Sequence, residues 1–93
     1  SVDPSAMSFI TPEYSFKQSP KELEVKVMMK GASKNDLNIE AMSNFVKVNC
    51  KPFLLELDLW GEIDFDNCKA KWLSESSILQ VKIPKASLRV LLL

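Results

Sequence analysis

Leu23-Glu24-Val25-Lys26-Val27-Met28-Met29-Lys30-Gly31 sets four apolar side chains, Leu23, Val25, Val27 and Met29, against Glu24, Lys26 and Met28, and closes on a glycine. A period of two belongs to a strand with one buried and one solvated face. A helix would scatter these positions around its axis. Working outward, the same alternation returns. Leu37, Ile39 and Ala41 alternate with Asn38 and Glu40; Val46, Val48 and Cys50 with Lys47 and Asn49. Phe53, Leu55, Leu57 and Leu59 alternate with Glu56 and Asp58; Ala70 and Trp72 with Lys69 and Lys71; Leu79, Val81 and Ile83 with Gln80 and Lys82. Upstream, Tyr14–Gln18 forms a shorter strand.

Turn signals separate these runs: Ser19-Pro20-Lys21, Gly31–Asp36, Met42-Ser43-Asn44, Lys51-Pro52, Gly61–Asn67 and Ser74–Ser77. No window keeps helical periodicity over three turns. Lys21-Glu22 and Ser33–Leu37 each have room for a single turn. The fold class is therefore all-β, a seven-stranded antiparallel β-sandwich with apolar members facing a shared core.

A chain of 93 residues holds one small domain. The apolar fraction of 46% and charged fraction of 26% are those of a globular domain rather than a disordered chain. Twelve basic and twelve acidic residues balance to zero net charge, so no global field would hold a nucleic acid or an anionic membrane. Apolar runs are too short to span a bilayer. Histidine is absent, which removes His-based triads, general bases and metal ligands. No Ser, Thr or Cys has a base partner, and two glycines cannot make a Gly-rich phosphate loop. The expectation is a binding module with no catalytic residues, cofactor or metal. Ser1–Ala6 reads as a vector remnant ahead of a native start at Met7, residues 7–86 as the domain, and 87–93 as the start of a following segment or an added edge strand.

The pattern resembles the CS domain family, the alpha-crystallin-like (HSP20-like) fold of heat-shock protein 90 co-chaperones, SGT proteins and NudC proteins. Tyr14-Ser15-Phe16-Lys17-Gln18-Ser19 is similar to the family's opening Tyr-x-Trp-x-Gln-Thr strand, and Leu23–Gly31 to its second strand with a Gly turn. Asp36-Leu37-Asn38-Ile39 resembles its D-L-x-I motif, and Lys82-Ile83-Pro84-Lys85 its closing L-x-K. Two positions depart. Phe16 stands where the family usually has Trp, in a core or core-rim role. Ala86–Leu93 carries no Trp, with Arg89 near its place.

The resemblance implies a cytoplasmic co-chaperone module that docks on heat-shock protein 90, its clients or companion proteins. The alternatives are an autonomous NudC-like holdase and an accessory domain fused to an enzyme. The resemblance also implies that strands four, five and six share one four-stranded sheet. On that basis Lys47, Lys69 and Lys71 would form one solvent-facing cluster beside Glu56, either a partner surface or a charge-laced face that blocks edge aggregation. Trp60 falls on the outward phase, as an interface anchor or a cap on the sandwich end. Trp72 is in phase with the core. Cys50 and Cys68 read as buried thiols. Five carboxylates, Glu56, Asp58, Glu62, Asp64 and Asp66, read as a solvated face rather than a calcium site or a catalytic pair. Ser87-Leu88-Arg89-Val90-Leu91-Leu92-Leu93 has the composition of a pairing strand, which suggests a monomer or a weak dimer through this segment.

Overall fold

The computed structural model describes residues 9–42, 44–59 and 61–86. Seven strands follow in order: β1 (Glu13–Gln18), β2 (Glu22–Met28), β3 (Asn38–Met42), β4 (Phe45–Cys50), β5 (Phe53–Asp58), β6 (Lys69–Leu73) and β7 (Ile78–Pro84). Among the described residues there is no α-helix; two 3-10 turns, Lys34–Asp36 and Phe65–Asn67, complete the list. The first is held by Ser33, whose hydroxyl accepts from the Asn35 amide at 3.2 Å. The second lies inside the expected Gly61–Asn67 loop.

The strands form two antiparallel sheets. One has the order β1-β2-β7-β6, the other β3-β4-β5. Local chemistry explains most of this order. The Ser19 hydroxyl accepts from the Glu22 amide at 3.1 Å and closes the β1–β2 hairpin. Ser74–Ser77 turns β6 back onto β7, with Ser77 taking a positive φ of 54°. The β4–β5 turn contains a cis Lys51-Pro52 peptide bond.

The ten residues from Leu59 to Cys68 carry the chain from one sheet to the other. They are strapped down at the start and in the middle. The Leu59 amide donates to the Asn44 carbonyl at 2.6 Å, and the Asp64 amide to the Pro84 carbonyl at 2.8 Å. Ile63 bridges Lys85.

Register fixes which side chains share a face. Phe16, Val25, Val81 and Ala70 form one inward row across the larger sheet, and Tyr14, Val27, Leu79 and Trp72 another. Across the smaller sheet Ile39, Val48 and Leu55 form one inward row, and Ala41, Val46 and Leu57 the next. The buried core comprises Leu23, Val25, Val27, Met29, Val46, Val48, Cys50, Leu55, Leu59, Leu79, Val81 and Ile83. Removing each of the larger ones from water contributes roughly 1.5–3 kcal/mol. Trp72 and Cys68 are partly buried and pack against this core.

Four strands lie over three, so one sheet overhangs the other. Tyr14 and Phe16 occupy inward positions on β1 yet remain 45% and 43% exposed. This corrects the expectation that every inward-phase residue reaches the core: β1 lies at the sheet edge, beyond the cover of the smaller sheet. The segment before β1 touches the opposite sheet instead. The Ile10 amide donates to the Pro52 carbonyl at 2.8 Å, and the Leu54 amide to the Ile10 carbonyl at 3.0 Å.

Candidate functional site

The structure does not bring Lys47, Lys69 and Lys71 together. Lys47 is on β4 of the three-stranded sheet, and Lys69 and Lys71 are on β6 of the four-stranded sheet. The single cluster expected from the sequence is therefore overturned. The cause is connectivity. The Ser74–Ser77 turn binds β6 to β7, and the segment from Leu59 to Cys68 crosses between layers, so β6 cannot lie beside β5.

Lys47 and Glu56 do share a face. They stand opposite each other in the β4–β5 ladder, with Glu40 opposite Lys47 on the other side. The Lys47 ammonium lies 3.9 Å from Glu40 Oε2. One lysine between two glutamates is a self-compensated row. An exposed pair of this kind contributes about 0.2–1 kcal/mol, and leaves little field for a partner.

Lys69 and Lys71 belong to a different surface, the outward face of the four-stranded sheet. One row there reads Lys17, Glu24, Lys82, Lys69; the next reads Ser15, Lys26, Gln80, Lys71. Lys69 and Lys82 face each other directly. Among the described residues neither is in an ion pair. Directly opposed like charges on a sheet are destabilising. Lys69, Lys71 and Lys82 line an open depression together with Ala70 and Gln80. The third row is Glu13, Met28, Ile78, Leu73, whose three apolar members are half-buried. The face thus has a basic end and an apolar end. Lys26, Lys82 and Met28 are legible as outward-phase residues, Ile78 and Leu73 extend their strands by one residue beyond the expected alternation, and only strand order places all five on one face with Lys69 and Lys71.

Trp60 lies outside the described residues, as does Ser87–Leu93. The acids of 56–66 are dispersed. Glu56 and Asp58 are exposed on β5, Glu62 and Asp66 are exposed on the crossing segment, and Asp64 Oδ2 accepts from Asn67 Nδ2 at 2.6 Å. Cys50 is buried, and its thiol donates to the Ser33 carbonyl at 3.1 Å. Burial, then the nearby Asp36 charge, push its pKa up; burial alone pushes up that of Cys68. Both shifts favour the protonated thiol. No helix among the described residues is long and apolar enough to cross a membrane.

An all-β sandwich with a 4 + 3 strand division is the architecture that defines the class. Residues 12–86 match the CS domain family, and the chain belongs to that family. The relatives are more particular. The chain is 36% identical over 59 residues to dynein axonemal assembly factor 4 of Pan troglodytes, covering 63% of this chain and 14% of that protein. The mouse protein of the same name is 34% identical over 59 residues, with the same coverage. The chain thus spans about one seventh of the curated relatives it matches.

Solved structures agree on the fold. Heat shock protein 16.0 from Schizosaccharomyces pombe superposes with a TM-score of 0.72 at 16% identity, covering 83% of this chain and 88% of that one. Nuclear movement protein from E. cuniculi GB-M1 superposes with a TM-score of 0.66 at 15% identity, covering 78% and 85%.

Proposed function

We propose that this CS domain is a non-catalytic, co-chaperone-like docking module of a cytoplasmic dynein-arm assembly factor. In this reading it docks an acidic surface of heat-shock protein 90, of a client or of a companion assembly factor. The longer protein would add tetratricopeptide repeats that bind chaperone C-termini. One observation carries the proposal: Lys69 and Lys82 oppose each other, with Glu24 beyond Lys82 as the one carboxylate of their row and no ion pair to either lysine among the described residues, beside Lys71 and Lys26, on an outward sheet face that turns apolar at its other end. Such an arrangement is unfavourable for the domain alone and favourable for an acidic partner with adjoining apolar residues.

Titration calorimetry of the domain against heat-shock protein 90 tests the reading. Joint reversal of Lys69→Glu and Lys71→Glu should weaken binding by about 1–3 kcal/mol, and added salt should weaken the parent complex. Binding that ignores both changes would place the contact elsewhere. A second reading, an ATP-independent holdase, draws on the exposed Phe9, Ile10, Tyr14 and Phe16. Suppression of client aggregation by the isolated domain would favour it.

A further inference from the structure

β1 ends its sheet, and among the described residues nothing pairs with its other side. An open strand edge is a template for another chain. The usual protections are thin here: the strand has no internal proline, glycine or bulge, and Pro12 and Pro20 only bracket it.

The hydrogen-bonding parity of that edge is fixed. The Ser19 amide donates to the Glu22 carbonyl at 2.9 Å. In an antiparallel ladder such pairs alternate, so Ser15 and Lys17 exchange bonds with β2. The backbone groups of Tyr14, Phe16 and Gln18 therefore point to the free side. An added antiparallel copy must match even-numbered residues with even-numbered ones, which also keeps the two apolar inner faces on the same side.

Four registers overlap three or more residues of β1. Centred on Lys17, Lys17 meets Lys17 and Phe16 meets Gln18. Centred on Tyr14, Lys17 meets Thr11. Centred on Phe16, Lys17 meets Ser15 and Glu13 meets Ser19. Centred on Ser15, Glu13 meets Lys17 of the second copy, Tyr14 meets Phe16, and five of the six strand residues, Glu13 to Lys17, are used. The sequence Glu-Tyr-Ser-Phe-Lys is chemically palindromic about Ser15. Only this register gives two opposite-charge pairs and two aromatic pairs. Those are the cross-strand combinations that stabilise a sheet, and they cover the two aromatics that the sandwich leaves 45% and 43% exposed.

We infer that the domain self-associates through β1, pairing antiparallel with a second copy of this chain across a two-fold axis at Ser15. Two four-stranded sheets then become one eight-stranded sheet. The Tyr14 and Phe16 pairs supply the hydrogen bonds across the axis, Ser15 faces Ser15, and the Glu13–Lys17 pairs set the register.

Sedimentation velocity of the 93-residue chain over a concentration series is the test, together with three variants. Lys17→Glu places Glu opposite Glu13 of the second copy, and should raise the dimer dissociation constant about tenfold or more. Glu13→Lys alone should do the same. The double variant Glu13→Lys/Lys17→Glu restores both pairs across the axis and should recover dimerisation. It does not restore the pairing of Lys17 with Glu24 within the chain, so recovery separates self-association from β1 stability. Ser15→Cys in a Cys68→Ser background should cross-link under mild oxidation, because non-hydrogen-bonded partners bring Cα atoms to about 4.5 Å. A chain that stays monomeric at millimolar concentration overturns the inference. So does a dimer that ignores the charge variants, or one lost on removing residues 87–93. Strand addition by a different protein would show as a monomer whose β1 becomes protected only in that protein's presence, and would also overturn it.

Discussion

Lys69 on β6 and Lys82 on β7 stand directly opposite each other, on the solvent side of the four-stranded sheet. Two ammonium groups in that relation repel across one ladder rung, and only Glu24, beyond Lys82, offsets them in the row. The domain would be more comfortable with either one reversed.

Lys69→Glu should therefore do two opposite things. It should stabilise the isolated domain by a few tenths of a kcal/mol, up to about 1, by giving Lys82 a carboxylate. It should also weaken docking of an acidic partner. A rise in melting temperature with a loss of binding is the signature. Parallel losses in both would mean that Lys69 serves folding.

Lys47→Glu should behave in the opposite sense. It would put three carboxylates in the Glu40–Lys47–Glu56 row. Stability should fall by about 0.5–1 kcal/mol, and docking through the other sheet should stay near the parent value. Urea unfolding beside a binding titration checks both.

Trp72→Ala removes a large side chain that packs against the core from a half-exposed position. A cost of roughly 2–4 kcal/mol is expected, below the upper end for a fully buried aromatic. Leu79→Ala, next to it in the inward row and 1% exposed, should cost as much or more despite losing fewer atoms. Denaturant midpoints of the two variants decide the order.

The thiols set a pH dependence. Burial raises the folded pKa of Cys50 and Cys68 above the ordinary value of 9.0. Below that value both states keep the proton and stability is flat. Above it the unfolded chain loses protons that the folded chain retains, so stability should fall as pH rises beyond about 9. Replacing both cysteines by Ala should flatten the alkaline limb of the melting curve. In native protein, Cys68 should react with a thiol reagent before Cys50, which is fully buried.

Ser77 holds a left-handed backbone in the β6–β7 turn, at φ 54°, while its carbonyl accepts from the Met29 amide at 2.9 Å. Ser77→Gly should be neutral to stabilising by up to about 1 kcal/mol, since relief of the left-handed strain competes with added unfolded-state entropy. Ser77→Val should destabilise. Thermal unfolding of the pair checks the sign.

Strand identity was legible in the sequence because alternation is a local property. Val25 and Val27, Val46 and Val48, and Leu79 and Val81 declare their inward phase within a few residues, and all are buried. The inward phase of Trp72 was legible for the same reason. Sheet membership is not local. Nothing between Asp58 and Lys69 states that the chain changes layers there, and one sheet for strands four to six rests on the resemblance alone; Lys47 and Lys71 belong to different sheets. The overhang escaped for a related reason. Tyr14 and Phe16 have the same phase as core residues, and their exposure depends on the smaller sheet having one strand fewer. The basic face was half visible: Lys69 and Lys71 from their own strand, Lys26 and Lys82 only after β7 is known to lie between β2 and β6.

The four-over-three division also sets how the domain comes apart. β1 is attached along one side, by the ladder in which Ser15 and Lys17 bond to β2. Detaching it exposes little new apolar surface, because Tyr14 and Phe16 already stand nearly half in water. β2 and β7 carry much of the buried core and cannot leave without losing it. Amide exchange should therefore run in two classes: the Ser15 and Lys17 amides through a low-energy subglobal opening, and those of Val25 and Val81 through global unfolding alone. The strand best placed to receive a second molecule is also the one the domain can release while the rest stays folded.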